Sequence, residues 1–235
     1  AFMAAVLSAD MDNTDKVVGL IDECRDMELA VEPPNINACE HRFTVKNDNA
    51  IVYGLGAIKG VGAAAIDGLI EEREQNGAYS DLFNFCQRID GRKVNRRTME
   101  ALIMAGALDV FEQNRATLMA SLPAAVQIAE QHARNRDAGQ SDMFGMVDKV
   151  ETGPGSYHEM PDWDDEQRLS CEKQTLGLYL TGHPIERYEP ELRQFVSSRI
   201  VDLKPTHDQS VIVAGLIIGI RTMNTKRGDR IAFIT

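Results

Sequence analysis

Apolar residues recur at three- and four-residue spacing over most of the first 136 positions, the signature of helices with one buried face. The opening stretch predicts a helix to about Ser8. Val17, Leu20, Ile21 and Cys24 predict a second from Asn13 or Thr14 to about Met27, ended by Pro33-Pro34. Between residues 42 and 53 the pattern turns short and extended, and a hairpin follows from Phe43 to Val45 and Ile51 to Tyr53 about an Asn47-Asp48-Asn49 turn. Ala65, Ile66, Leu69 and Ile70 share one face of a helix that starts after Gly62 and stops at Asn76-Gly77, where a left-handed residue would satisfy the last carbonyls. Leu82, Phe83, Phe85, Cys86 and Ile89 predict a short helix, and another is expected over 95–105. A longer one opens with Asn114 as N-cap and runs towards Arg136, with Pro123 expected to kink or split it.

The periodicity stops at Asp137. To about Gln167 the chain is rich in glycine and proline and carries the acids Asp162, Asp164, Asp165 and Glu166, which predicts a mobile linker. Helix resumes over 168–195, broken at Thr181-Gly182-His183-Pro184. Residues 211–220 then predict a long buried strand, joined through Lys226-Arg227-Gly228-Asp229 to an antiparallel partner over 230–235.

Composition narrows the class. With 43% hydrophobic and 26% charged residues in 235, neither a disordered nor a collagen-like chain is expected. No run reaches the ~18 apolar residues of a membrane span, and the start lacks a basic signal-peptide flank, so no membrane contact and a cytoplasmic location are expected. Cys24, Cys39, Cys86 and Cys171 lack C-x-x-C spacing and read as reduced thiols. The chain opens in mid-helix pattern and stops after the strand-like Ile231-Ala232-Phe233-Ile234, as an excised fragment would. The net charge of −11 is uneven: residues 1–50 and 140–175 each carry −6, whereas 51–120 carry −1 and 176–235 carry +2. Phosphate binding depends on local cation density, so any nucleic-acid contact is expected in 51–120 or in the last segment.

The most informative local pattern is Gly54-Leu55-Gly56-Ala57-Ile58-Lys59-Gly60-Val61-Gly62 opening a helix. Glycines let a backbone approach an anion, and the free amides of the following helix can hold a phosphate. A Walker loop fails, because no Lys-Ser/Thr pair follows the last glycine. Three readings stay open: a dinucleotide fingerprint on Gly54, Gly56 and Gly60; a helix-hairpin-helix whose turn Lys59-Gly60-Val61-Gly62 grips a DNA phosphate without reading bases; and a glycine-rich helix junction with no ligand. A second candidate hairpin is Ala105-Gly106-Ala107-Leu108-Asp109, with Gly106, Ala107 and Leu108 as its turn. Just upstream of it, Arg88, Arg92, Lys93, Arg96 and Arg97 face the single acid Asp90 within ten residues. Such a run on its own is a solvated face, but paired with two hairpins it becomes a phosphate-contact candidate. Gln140-Ser141-Asp142-Met143-Phe144 places an apolar pair on a polar tether, either a docking peptide or a local packing contact. Cys24, Cys39 and His41 lack zinc spacing, and no nucleophile and base pair, metal site or cofactor site is identified.

Taken together the residues resemble a known family, the α subunits of bacterial DNA polymerase III, replicative C-family polymerases. The likeness is carried by Met11-Asp12-Asn13-Thr14, Pro33-Pro34-Asn35-Ile36-Asn37, the run from Tyr53 to Gly62 and Asn95-Arg96-Arg97. It continues through Gly106-Ala107-Leu108-Asp109, the run from Leu176 to Pro184 and Thr225-Lys226-Arg227-Gly228. The resemblance implies a mainly α chain: the end of a fingers domain over 1–50, a tandem helix-hairpin-helix domain over 51–136, a linker over 137–167, a helical connector over 168–205 and the first strands of an OB-fold barrel over 206–235. It implies duplex-DNA contact through Lys59, Gly60, Val61, Gly62, Arg92, Lys93, Arg96, Arg97, Gly106, Ala107 and Leu108. It also implies docking of Gln140, Ser141, Asp142, Met143 and Phe144 to the sliding clamp (the β subunit), with other replicase subunits as further partners. The family's magnesium-binding palm aspartates match nothing here, so no catalytic residue and no cofactor is expected in this portion, which should be inactive alone although its parent is a nucleotidyltransferase. An error-prone paralogue shares the Gly-His-Pro region but lacks the clamp pentapeptide. The rival class is a dinucleotide-binding enzyme domain.

Overall fold

The computed structural model describes residues 1–137, 156–198, 200–203, 210–217, 219–225 and 228–234. The chain divides into two compact units, Ala1–Leu180 and Thr181–Thr235. Among the described residues it is mainly helical with two small sheets.

The first unit opens with α1 (Phe2–Ala9) and α2 (Thr14–Asp26). The Asn13 side chain caps α2 by accepting the Lys16 amide at 3.2 Å. Three short strands follow, β1 (Ala30–Glu32), β2 (Thr44–Asn47) and β3 (Ala50–Val52). The expected hairpin is β2 against β3, with a register shift between Val45 and Asn47, and β1 joins on the other side of β3 in parallel. Ala-Val-Glu is too short to carry a period, so β1 owes its strand form to its neighbour.

Four helices come next: α3 (Ala63–Asn76), α4 (Leu82–Arg88), α5 (Arg96–Met104) and α6 (Arg115–Asp137). Asp81, Asn95 and Asn114 accept the amides of Asn84, Thr98 and Thr117 at 2.8, 3.0 and 2.8 Å, which sets the starts of α4, α5 and α6. The helix α6 runs on through Pro123 rather than splitting there. Its successor α7 (Asp165–Leu176) is capped by Asp164 and ends at Gly177, φ +79°.

One contiguous core joins all of this. Leu7 and Ile21 belong to it, as do Ile36, Tyr53, Leu55, Ile66, Leu102, Leu118 and, from α7, Leu176. Burying each such side chain is worth roughly 1.5–3 kcal/mol. The stretches read from sequence as separate, 1–50, 51–136 and the start of the connector, therefore fold around the same interior. The loop after β1 stitches them. Asn37 donates to the Tyr79 carbonyl and accepts the Tyr79 amide, both at 2.8 Å. Arg73 of α3 donates to the carbonyls of Ile36 and Cys39, and the Ile36 amide donates to the Ala107 carbonyl at 2.8 Å.

Within the expected linker, residues 157–160 are tied down. The amide of His158 donates to Ser121 Oγ at 2.9 Å and that of Met160 to Thr117 Oγ1 at 3.0 Å, while Asn114 Nδ2 donates to the Met160 carbonyl. Tyr157 accepts the Leu82 amide and packs edge-on against Phe83. Hydroxyls on α6 serve backbone groups here that the sequence pattern shows no ladder for.

In the second unit a 3₁₀ turn, Glu186–Tyr188, leads into α8 (Glu189–Phe195), and β4 (Ile220–Asn224) pairs antiparallel with β5 (Arg230–Ile234). The long buried strand expected over 211–220 does not form. Strand structure begins only at Ile220, and Ile212, Leu216 and Ile217 are exposed. An apolar run becomes a buried strand only where neighbours supply its hydrogen bonds and cover its faces, and among the described residues of this unit the ladder is β4 with β5 alone. Part of the Lys226-Arg227-Gly228-Asp229 turn lies outside the described residues.

Candidate nucleic-acid interface

The glycine-rich run does two different jobs. A Cβ on Gly54 would stand 2.7 Å from the backbone of Arg42 and Phe43, and one on Gly56 would stand 2.5 Å from the His41 ring. The amides between them are used as well: Leu55 donates to the Glu40 carbonyl and Gly56 to that of His41, each at 2.9 Å. These two glycines permit a close backbone crossing. The dinucleotide reading falls with them, because that fold needs a parallel strand after the helix, and among the described residues the next strand after α3 is β4 in the other unit.

The remainder, Lys59-Gly60-Val61-Gly62, is an exposed turn pinned at its ends. The Lys59 amide donates to the Thr175 carbonyl at 2.8 Å, the Val61 amide donates to Ile58 at 3.3 Å, and the Val61 side chain is buried. Gly60 sits at φ +87°, a conformation that glycine adopts without penalty. The amides of Gly60, Gly62, Ala63 and Ala64 meet no acceptor among the described residues, and all four residues are exposed. They stand at the positive end of α3, a 14-residue helix.

The first turn of α5 lies beside this site. Thr98 Oγ1 reaches the Gly60 carbonyl at 3.5 Å, and a Cβ at Gly60 would lie 3.7 Å from that of Ala101. Arg97, next to Thr98, is exposed and has no ion-pair partner among the described residues. Lys93 is likewise exposed and lies against α3 at Gly68. Arg92 pairs with Asp90 at 3.2 Å, and Arg96 pairs with Glu100 at 2.8 Å. The hydrogen bonds from Arg92 hold the Asp90 carboxyl below its ordinary pKa.

Arg88, the fifth cation of the run, turns inward. It donates to Glu72 Oε1 and to the carbonyls of Glu72, Gly77 and Ala78, and stacks 4.5 Å above the Tyr79 ring. Gly77 has positive φ but ψ 178°, so α3 does not end on the expected left-handed cap; the arginine takes that place.

The second turn is built differently. Gly106, Ala107 and Leu108 are all buried. The Gly106 amide donates to the Ile103 carbonyl and the Ala107 amide to that of Leu102, which closes α5 upon itself. A Cβ at Gly106, φ +80°, would overlap the Arg115 guanidinium. That guanidinium is buried and forked on Asp109, with Nη2 to Oδ2 at 2.7 Å and Nε to Oδ1 at 2.9 Å, and its Nη1 reaches Glu172 Oε1 at 3.2 Å. Burial opposes the Arg115 charge, but the hydrogen bonds and charges of Asp109 and Glu172 outweigh it and raise the pKa.

Comparison with known proteins gives this arrangement a context. The helix-hairpin-helix motif family matches residues 28–118, which takes in both turns. DNA polymerase III subunit alpha of Vibrio cholerae is 52% identical over 236 residues, covering all of this chain and 20% of that protein. The subunit of the same name from Pseudomonas aeruginosa is 48% identical over 251 residues, and that of Escherichia coli K12 is 48% identical over 237. Along its whole length the chain is similar to a segment of DNA polymerase III α subunits. It spans about a fifth of the length of these relatives.

Of the α-subunit residues singled out in the sequence, the structure brings Lys59, Gly60, Gly62 and Arg97 together at one exposed corner, with Lys93 further along α3. Gly106, Ala107 and Leu108 lie in the interior behind Arg115. Gln140, Ser141, Asp142, Met143 and Phe144 lie outside the described residues. The weak zinc candidates have ordinary partners: Cys39 Sγ takes the Asn35 amide, its thiol pushed up to about 11 by burial, and His41 pairs with Asp67. Arg115 and Glu172 were missed. One signal could have found them: a charged residue at a helix position that faces the core.

Proposed function

We propose that this segment holds duplex DNA without base preference and tethers a DNA-directed DNA polymerase to its sliding clamp. The observation that carries the first part is the exposed turn at Lys59-Gly60-Val61-Gly62, whose unpartnered amides open α3 beside exposed cations. A backbone phosphate fits there: amides at Gly60, Gly62 and Ala63 donate to its oxygens, the helix dipole favours its charge, and Lys59 and Arg97 close over it. Lys93, Arg92 and Arg96 extend the contact electrostatically, Arg92 and Arg96 by exchanging their weak surface pairs for phosphate. Gly106, Ala107 and Leu108 serve as the brace behind this grip. None of these groups is shaped to read a base edge.

The second part rests on sequence. Gln140-Ser141-Asp142-Met143-Phe144 offers two apolar side chains for a pocket and an amide to orient them. Nucleotide transfer, its magnesium ions, the other replicase subunits and the cytoplasmic setting belong to the whole subunit, and no residue of this chain is assigned to the chemical step.

Titration of the chain against two unrelated duplexes at several salt concentrations tests the grip. Equal affinities that fall steeply with salt are expected, and Lys59→Ala with Arg97→Ala should flatten the slope of log K against log salt by about two. A strong sequence preference or a salt-independent affinity overturns it. Met143→Ala with Phe144→Ala should weaken binding to the isolated clamp by about a hundredfold or more, since burying both side chains is worth roughly 3–6 kcal/mol before ordering. Unchanged clamp affinity in the double variant refutes the tether.

A further inference from the structure

Arg115 and Glu172 are the charged residues buried among the described residues, and they pair with each other from α6 and α7, 57 positions apart. The pair does not act on one element only. On the Arg115 side it holds Asp109 and fills the space beside Gly106, in the second turn. On the Glu172 side the other carboxylate oxygen takes the Leu180 amide at 2.9 Å, which folds the chain back after α7. One helical turn beyond Glu172, the Thr175 carbonyl receives the Lys59 amide at 2.8 Å, at the head of the first turn. The end of α7 is also fixed against α2: Gly177 lies so close to Thr14 that no Cβ fits, and the Tyr179 carbonyl accepts from Arg25 at 3.1 Å. Within a single helical turn, α7 therefore holds the first hairpin turn directly and the second through Arg115.

We propose that α7 is the key that sets the exposed turn relative to the buried one, with Glu172 its positioning residue. No atom of α7 needs to touch DNA. Glu172 seats α7 on Arg115, α7 presents the Thr175 carbonyl, and that carbonyl aims the Lys59-Gly60 peptide so that the free amides point outward together. Losing the seat leaves the helices folded and the amides misaligned. The inference rests on the phosphate-grip reading for its consequence, but not for the geometry that it tests.

The experiment compares the full chain with Glu172→Gln, which retains shape and loses the charge, and with Arg115→Met combined with Glu172→Leu, which replaces the ion pair by apolar side chains that such sites tolerate. Amide hydrogen exchange reads the position of the turn. In the parent the Lys59 amide should be protected about as well as core amides while that of Gly60 exchanges freely. In both variants Lys59 protection should fall at least tenfold, with the core of α3 and α5 unchanged. Duplex affinity at low salt should drop by about tenfold in parallel, even where the double variant melts no lower than the parent. A parent whose Lys59 amide exchanges as freely as that of Gly60 overturns the proposal. So does a folded variant that keeps Lys59 protected and binds duplex like the parent. Absence of salt-dependent duplex binding in the parent would instead refute the phosphate grip, and the exchange comparison would still decide whether α7 sets the turn.

Discussion

The chain carries two tight turns of similar composition, Lys59-Gly60-Val61-Gly62 and Gly106-Ala107-Leu108, each with a glycine at positive φ, +87° and +80°. Only the first leaves exposed amides without an acceptor among the described residues, at Gly60 and Gly62, whereas the second is buried and its Gly106 and Ala107 amides are taken. The difference lies in which helix end each turn serves. The second follows the C-terminus of α5, so the amides of Gly106 and Ala107 turn back onto the carbonyls of Ile103 and Leu102 that this helix leaves over. The first leads into the N-terminus of α3, where the orphans are donors and face outward. A glycine turn is a structural cap or a binding corner depending on its side of the helix. Burial then reinforces the division, because Arg115 and Asp109 crowd the second turn and nothing lies within 4 Å of a Cβ built at Gly62.

The largest effect expected from this contrast is at Gly106. Substitution to alanine meets both the strain of positive φ and a guanidinium anchored on two carboxylates, and should lower stability by about 2–4 kcal/mol. Thermal or denaturant melts read it; a loss below about 1 kcal/mol would mean that the second turn is as tolerant as the first. Next comes the contrast within the cation run. Arg88→Ala removes the cap on the carbonyls that end α3 and should cost about 1.5–3 kcal/mol in stability, with duplex affinity per folded molecule unchanged. If Arg88→Ala flattened the salt dependence of binding instead, the inward assignment would fail. The smallest effect on folding is expected at Gly62, at φ −81° with open space around it. Alanine there should change stability by less than about 0.5 kcal/mol and reduce duplex affinity a few-fold, because a methyl group would stand where the phosphate approaches. A destabilised Gly62→Ala protein would erase the distinction between the turns.

Much of this was legible in the chain itself. The helical periods gave α1 through α5 nearly to their ends, and Asn114 announced the cap of α6, because capping and amphipathicity are written within three or four residues of where they act. The Lys59 to Gly62 turn, its neighbouring cations and the family likeness were readable for the same reason. What sequence alone left undecided depends on partners far along the chain. The strand form of β1 is borrowed from β3. Residues 156–160 are held by hydroxyls of α6 about 40 positions earlier. Arg88 caps a helix that ends 12 residues before it, and Glu172 finds Arg115 across 57 positions. The apolar run at 211–217 met no ladder and stayed exposed. Local sequence sets which conformation each segment prefers and which groups its ends leave over. Only the packed interior decides which of those groups are consumed and which stay open for a ligand, because each hydrogen bond or ion pair that settles the matter joins residues that only the fold brings together.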